Sequence, residues 1–286
     1  MKNLSQHIIE EKKRKRSALY MPYLTLGDPS FEESFIVAKA MIDAGSSLLE
    51  LGIPFSDPTA DGPLIQKAMV RSMNQKNFSL EKIFELTQKI HNYAPEIPLV
   101  YLTYFNPIFQ YKKSQNAFLG EAFLKKAYEL GIRALVIPDL PLDSPEAEEL
   151  QKNIHSLEID IALIPMIAPN TKFKRAKKIL EKGSGFVYYI TSLGVTGIRE
   201  ELPDDFIERI SLLQSLTNLP IFAGFGISKT EQVEKLKNLF DGIIVGSLNH
   251  KIIEELIESQ RLDMLYQQIF QITKNFVDHL SLNGNI

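Results

Sequence analysis

A carboxylate set inside an apolar run is the first group in this sequence with a claim to chemistry. The run reads Leu48-Leu49-Glu50-Leu51-Gly52, and burying Glu50 there is costly unless it is protonated or paired. Two readings are open. One is a structural ion pair or an outward-facing side chain; the other is a carboxyl whose pKa is raised by desolvation, fit for general acid/base work near neutral pH. The segment that follows, Pro54-Phe55-Ser56-Asp57-Pro58-Thr59-Ala60-Asp61-Gly62-Pro63, is rigid and adds two carboxylates. Asp57 and Asp61 could each simply shape a turn, yet Glu50 and Asp61 share one short stretch that can bring both to a single pocket. Three glycine clusters follow later: Gly194-Val195-Thr196-Gly197, Gly224-Phe225-Gly226-Ile227-Ser228 and Val245-Gly246-Ser247. One such cluster marks a tight turn. Three, the last two opening helices, suit a phosphate held by backbone N–H groups and helix N-termini. Asp139, Asn106-Pro107 and Tyr104 follow strand-like runs and Tyr188 lies within one; for the tyrosines, core packing with a satisfied hydroxyl is the plain reading.

Composition removes several other chemistries. The 286 residues include no cysteine, which excludes disulfides, thiolate metal sites and Cys nucleophiles. His7, His91, His155, His250 and His279 are scattered without metal-ligand spacing. P-loop and dinucleotide fingerprints are absent. With 32 basic and 35 acidic residues, the net charge of −3 offers no global attraction to nucleic acid or acidic membrane. The opening MKNLSQHIIEEKKRKR lacks a signal-peptide core, and no apolar run reaches transmembrane length, so a cytoplasmic protein is expected. The basic cluster Lys12–Arg16 reads as the solvated end of a first helix.

The elements that must position these groups alternate. Strand-like runs over 18–25, 48–53, 98–102, 134–137, 161–164, 186–190, 221–223 and 242–245 are nearly all apolar, as buried parallel strands should be. Between them lie helix-like stretches over 31–44, 64–73, 80–92, 117–130, 147–156, 172–182, 205–215 and 230–239. Ser30, Ser79, Ser144, Thr171 and Ser228 stand where N-caps are wanted, and Gly45, Gly131, Gly183 and Gly242 where helices should end. Eight strands with intervening helices predict a (β/α)₈ barrel, one domain over 1–286, with an extra N-terminal helix and, from helical segments over 251–259 and 262–280, an additional C-terminal helix. In such a barrel the active site lies at the strand C-termini, and phosphate binds after the last two strands.

Taken together these residues resemble the tryptophan synthase α subunit family. The resemblance runs from about Tyr20 to about Ile253, anchored by Tyr23-Leu24-Thr25-Leu26-Gly27-Asp28-Pro29, Glu50 through Pro58, Ala60-Asp61-Gly62-Pro63, Ile65-Gln66, Asn106-Pro107, Pro138-Asp139-Leu140-Pro141 and the Gly194 and Gly224 clusters. It implies a barrel lyase, without a cofactor of its own, that cleaves indole-3-glycerol phosphate to indole and glyceraldehyde 3-phosphate. Indole would pass to a pyridoxal-phosphate β subunit in an αββα heterotetramer. By position, the resemblance makes Glu50 the general acid/base and Asp61 the carboxylate that holds the indole N–H. It places Tyr23, Leu102, Tyr104, Tyr188 and Thr196 around the substrate, and Gly197, Gly226, Gly246 and Ser247 around its phosphate. Thr59, Thr191 and Leu248-Asn249-His250 depart from the family's usual residues, and the chain after Arg261 matches weakly.

Overall fold

A computed structural model describes residues 3–112, 118–190, 206–224, 233 and 236–281. In chain order the elements are α1 (Leu4–Lys15), β1 (Leu19–Thr25), α2 (Phe31–Asp43), β2 (Leu49–Gly52), α3 (Pro63–Met73), α4 (Leu80–Tyr93), β3 (Leu99–Leu102), α5 (Phe105–Gln110), α6 (Glu121–Glu129), β4 (Ile132–Val136), α7 (Pro145–Ser156), β5 (Ala162–Leu163), β6 (Met166–Ile167), α8 (Phe173–Lys182), β7 (Val187–Ile190), α9 (Phe206–Leu216), β8 (Ile221–Gly224), β9 (Gly242–Val245), α10 (Ser247–Glu258) and α11 (Leu265–Leu280). The strands run parallel in the order β5-β4-β3-β2-β1-β9-β8-β7-β6.

The two ends of that order are one interrupted strand. Ile164-Pro165 separates β5 from β6, and Pro165 has no N–H to offer a ladder. The Ile164 N–H donates to Leu135 O at 3.0 Å on the β4 side, while Pro165 O accepts from Tyr188 N–H at 2.9 Å on the β7 side. The predicted strand over 161–164 therefore continues to Ile167, and the eight-stranded barrel closes through it.

Alternation along the strands makes two concentric cores. Leu19, Met21 and Tyr23 of β1 join Leu48, Val100, Leu102, Val136, Phe186, Tyr188, Phe222 and Ile244 inside the barrel. Tyr20, Leu24, Leu49, Leu51 and Tyr101 point outward, where they pack with the helices. Leu4 and Ile8 of α1 belong to the inner cluster, so the first helix plugs the N-terminal end. Lys15 Nζ binds Gly45 O at 3.0 Å and Ser47 Oγ at 2.9 Å, and Lys12 pairs with Asp241 at 2.6 Å. Part of the basic cluster is thus tied to the barrel floor instead of facing only solvent.

Ser30, Ser79 and Ser144 accept from the N–H groups of Glu33, Lys82 and Ala147, as N-caps do. Thr171 does not cap α8; its hydroxyl oxygen accepts from the Ala168 N–H, and Lys172 takes the cap position. Gly242 is the first residue of β9, where a side chain would strike the Phe222 ring. α10 starts four residues before the expected 251, at Ser247. The helix expected over 117–130 begins at Glu121, and Asn106-Pro107 lies inside the short helix α5, whose Tyr111 N–H already returns to Pro107 O. The expected Ser228 cap, and most of the helix expected over 230–239, lie outside the described residues.

Candidate active site

Glu50 sits in β2 in register with Tyr23 of β1 and Val100 of β3. In-register neighbours on parallel strands share a face, and both of these point into the barrel, so Glu50 does too. It is 1% exposed, and its Oε1 has no hydrogen-bond partner. Neither the ion-pair nor the outward-facing reading survives. Burial, aided by the charge of Asp61, pushes the Glu50 pKa up to about 8, which keeps a proton on the carboxyl at neutral pH.

Asp61 reaches the same interior from the loop after β2. Its neighbours Thr59 and Ala60 are exposed while it is buried. Two contacts hold it. Tyr104 Oη donates to Asp61 Oδ2 at 2.6 Å, and Tyr104 Oη itself accepts from the Ala60 N–H at 3.0 Å. Gln66 of α3 donates to the Asp61 carbonyl at 2.8 Å. Burial raises the Asp61 pKa and the Tyr104 hydrogen bond opposes that rise. Tyr104 is itself placed by stacking on Phe55, with ring centroids 5.0 Å apart, and by α5, whose first N–H donates to Asp139 at 2.8 Å.

Glycines at strand ends make room for the other two tyrosines. A Cβ on Gly52 would stand 2.1 Å from Tyr23 Oη, and one on Gly224 would stand 2.2 Å from the Tyr188 ring. A side chain at either position would displace a ring from the pocket. Tyr23 and Tyr188 are almost fully buried; burial first, then the carboxylate charges of Asp61 and Glu50, drives both phenol pKa values well above the ordinary range. Leu102 closes β3 beside them. At the far side Gly246 precedes α10, and a Cβ there would meet the Tyr23 ring at 2.9 Å. Gly246 and Ser247 therefore bring a helix N-terminus to the edge of the same pocket. The structure thus gathers Glu50, Asp61, Tyr23, Leu102, Tyr104, Tyr188, Gly246 and Ser247; Thr196, Gly197 and Gly226 lie outside the described residues.

A buried polar chain behind Tyr23 carries residues that the sequence assigned no role. Tyr23 Oη lies 3.1 Å from Thr25 Oγ1, which lies 3.2 Å from His250 Nε2; the Thr25 N–H also donates to Nε2 at 3.2 Å. His250 Nδ1 is 3.2 Å from Asp28 Oδ2, and Arg71 of α3 grips Asp28 through Nε at 2.7 Å and Nη2 at 3.1 Å. Burial works to raise the Asp28 pKa, but His250 and Arg71 outweigh it and hold it below the usual value. Next to His250, Asn249 donates to Tyr23 O and Val245 O, which latches α10 onto β1. The only sequence signals were the Gly27-Asp28-Pro29 turn and the unusual Asn249-His250 pair. Among the described residues no group of three or more His, Asp or Glu is set to hold a metal.

The profile of the family described as "Tryptophan synthase alpha chain" matches residues 9–278. A tryptophan synthase alpha chain from Leptospira interrogans serogroup Icterohaemorrhagiae serovar copenhageni is 45% identical over 239 residues, covering 83% of this chain and 86% of the relative. One from Thermoanaerobacter sp. (strain X514) is 40% identical over 267 residues, 93% of each chain. The crystal structure of the tryptophan synthase alpha chain from Legionella pneumophila subsp. pneumophila superposes with a TM-score of 0.84 at 25% identity, covering 100% of both chains. An inner carboxyl on β2, a second on the following loop and a matching profile across the barrel agree: the chain belongs to the tryptophan synthase alpha chain family.

Proposed function

We propose that this single barrel domain cleaves indole-3-glycerol phosphate to indole and glyceraldehyde 3-phosphate, with Glu50 and Asp61 as its catalytic pair. The observation that carries this reading is the Glu50 carboxyl, buried inside the barrel with no hydrogen-bond partner at Oε1, beside an Asp61 held by Tyr104. Breaking the bond between indole C3 and the glycerol side chain needs a proton on C3, which converts the ring to an iminium-like cation. Glu50 donates that proton. Asp61 accepts the indole N–H and stabilises positive charge that is strongest in the transition state. The ionised Glu50 then removes the proton of the side-chain hydroxyl next to C3. The C–C bonding pair returns to the ring, the aldehyde forms, and Glu50 regains its proton. Tyr23, Leu102, Tyr104 and Tyr188 enclose the indole, and Thr196 is the further substrate-binding residue that the family resemblance implies. Gly197, Gly226, Gly246 and Ser247 hold the phosphate, for which the α10 N-terminus supplies N–H donors and a favourable dipole.

The proposed partner is a tryptophan synthase β subunit, in an αββα heterotetramer that receives the indole. Pyridoxal phosphate belongs to that partner, and the setting is cytoplasmic. Among the described residues no helix is long and apolar enough to cross a membrane. The test is release of indole from indole-3-glycerol phosphate by the purified chain, with and without a cognate β subunit. Turnover that rises with β supports the reading. Turnover indifferent to a bound β makes the chain a standalone lyase, and no turnover in either state overturns the catalytic assignment.

A further inference from the structure

Strand β1 outruns the ladder that β9 offers it. Their register ends at Pro22 against Val245, and Tyr23, Leu24 and Thr25 run on while the chain turns from Val245 into α10. Along a strand the backbone polar groups face alternate sides. Leu19 N–H donates to Asp241 O on the β9 side, whereas Tyr20 O accepts from Ser47 N–H and Leu26 N–H donates to Gly52 O on the β2 side. By that alternation Tyr23 O and Thr25 N–H face the gap left where β9 stops. Both residues are buried, so neither group has water to turn to.

Two consecutive side chains fill the gap. Asn249 Nδ2 donates to Tyr23 O at 3.2 Å and to Val245 O at 3.0 Å, and His250 Nε2 accepts from Thr25 N–H at 3.2 Å. Asn249 and His250 are wholly buried, and Asn249 Oδ1 has no partner. The amide is therefore oriented by the two carbonyls alone, which only its nitrogen can face. Because Thr25 N–H is a donor, Nε2 carries a lone pair and the His250 ring proton sits on Nδ1, 3.2 Å from Asp28 Oδ2. Arg71 in turn holds both Asp28 oxygens. The first turn of α10 closes with His250 N–H on Gly246 O at 3.2 Å. One residue thus grips β1 by its ring and Gly246 by its backbone.

These grips join the two halves of the pocket. Tyr23 is part of the indole wall, and Gly246-Ser247 opens the helix N-terminus assigned to the phosphate. The covalent link from β9 to that helix is a glycine, whose backbone is the least restrained of any residue. We propose that Asn249 and His250 are positioning residues that carry the β1–β9 ladder on into α10, and so fix the span between the indole wall and the phosphate-binding helix N-terminus. This rests on the substrate reading above and adds residues to it. Both act through Tyr23, Thr25 and Gly246.

A ligand with two ends gains over its separate halves only as far as the two sites hold the matching span. Loosening the latch leaves the groups of each half-site in place and costs the ligand that must engage both. Binding to the full chain, read by calorimetry or ligand-observed NMR, tests this with indole, glycerol 3-phosphate and 3-(indol-3-yl)propyl phosphate, an uncleavable compound that joins the two ends. Asn249→Leu and His250→Leu keep similar bulk and remove the latch. Each should weaken the joined compound by about tenfold or more and leave either half within about twofold. His250→Gln, whose amide can accept from Thr25 and donate to Asp28, should restore most of the lost affinity, which bulk alone would not. Equal losses for the joined compound and its halves, or no loss for the joined compound, overturn the proposal. Nitrogen-15 NMR of the unaltered protein needs no variant: a proton on His250 Nδ1 is expected, and one on Nε2 overturns the latch. If the unaltered chain binds neither half, the substrate reading falls and this inference with it; if it binds both and the variants lose everything equally, the inference falls alone.

Discussion

The two inner carboxyls are close in sequence and opposite in upbringing. Glu50 is part of β2, flanked in register by β1 and β3, and meets no donor at Oε1. Asp61 ends an exposed loop and is held by a tyrosine, with its own backbone tied to Gln66. Burial raises both pKa values, but only Asp61 has a hydrogen bond opposing the rise. A stiff strand gives one carboxyl a bare, proton-holding site; a loop gives the other a partner that favours the charged form. Acid and electrostatic stabiliser are thereby separated by environment, not by residue type.

The largest effect should come from removing the bare carboxyl. Glu50→Gln should lower kcat by about 10²-fold or more, the range for a general acid/base, read by indole release. Its stability should move the other way. In the unfolded chain Glu50 ionises near 4.5, in the folded chain near 8, so wild-type stability falls as pH rises between those values. Gln lacks that fall. Relative to wild type, Glu50→Gln should therefore gain up to on the order of 4 kcal/mol between pH 4.5 and pH 8, measured by urea unfolding across that range. A gain independent of pH would mean that Glu50 is charged in the fold.

Asp61→Asn comes next. It keeps the size and an oxygen for Tyr104 but loses the charge opposite the indole nitrogen, and a loss of about 10²-fold in kcat is expected from one misplaced electrostatic partner. The loss should appear in kcat more than in KM, because the interaction strengthens only as the ring becomes cationic. An effect confined to KM would make Asp61 a ground-state binding group.

How far all this could be read from the chain differs between the two carboxyls. The barrel, the apolar setting of Glu50 and the glycines at strand ends follow from periodicity and spacing, since a parallel strand buried on both faces has few ways to hold a polar residue. The inward direction of Glu50 needed the register with Tyr23 and Val100. The Asp61–Tyr104 contact joins residues 43 apart and depends on Phe55 stacking and on the helix α5, which the Asn106-Pro107 pair concealed. Least legible was the chain from Tyr23 to Arg71. His250 lies 225 residues from Thr25, and single histidines carry no spacing to betray a partner. Thr171 shows the converse failure, in which a residue with a strong local preference was used elsewhere by its neighbours.

The loop's exposure, set against the strand's burial, predicts where a partner can act. A β subunit docked on the exposed residues around Asp57 would bear on the loop that carries Asp61, while Glu50 lies out of its reach inside β2. Coupling of about 1–3 kcal/mol corresponds to roughly tenfold activation or more. Titrating β against a fixed amount of this chain should show that rise in glyceraldehyde 3-phosphate formation. Asp57→Lys should weaken the activation more than the basal rate, since among the described residues Asp57 hydrogen-bonds only with its loop neighbours Ser56 and Thr59. A flat response from a demonstrated complex would show that Asp61 is already in place without a partner.

The smallest effect should sharpen the comparison most. Tyr104→Phe deletes one oxygen; the ring stays stacked on Phe55, and the Ala60 N–H, which lies on an exposed residue, can turn to water. What is lost is the hydrogen bond that opposes the burial-driven rise of the Asp61 pKa. Asp61 then takes up a proton at higher pH, so the acidic limb of the pH profile of kcat should move upward. At neutral pH the cost should be several-fold, about what one charge-assisted hydrogen bond to a partly retained charge supplies. The alkaline limb belongs to Glu50 near 8 and should stay where it is. If Tyr104→Phe shifts both limbs together, the two carboxyls titrate as one coupled pair, and the separation of their roles by environment fails.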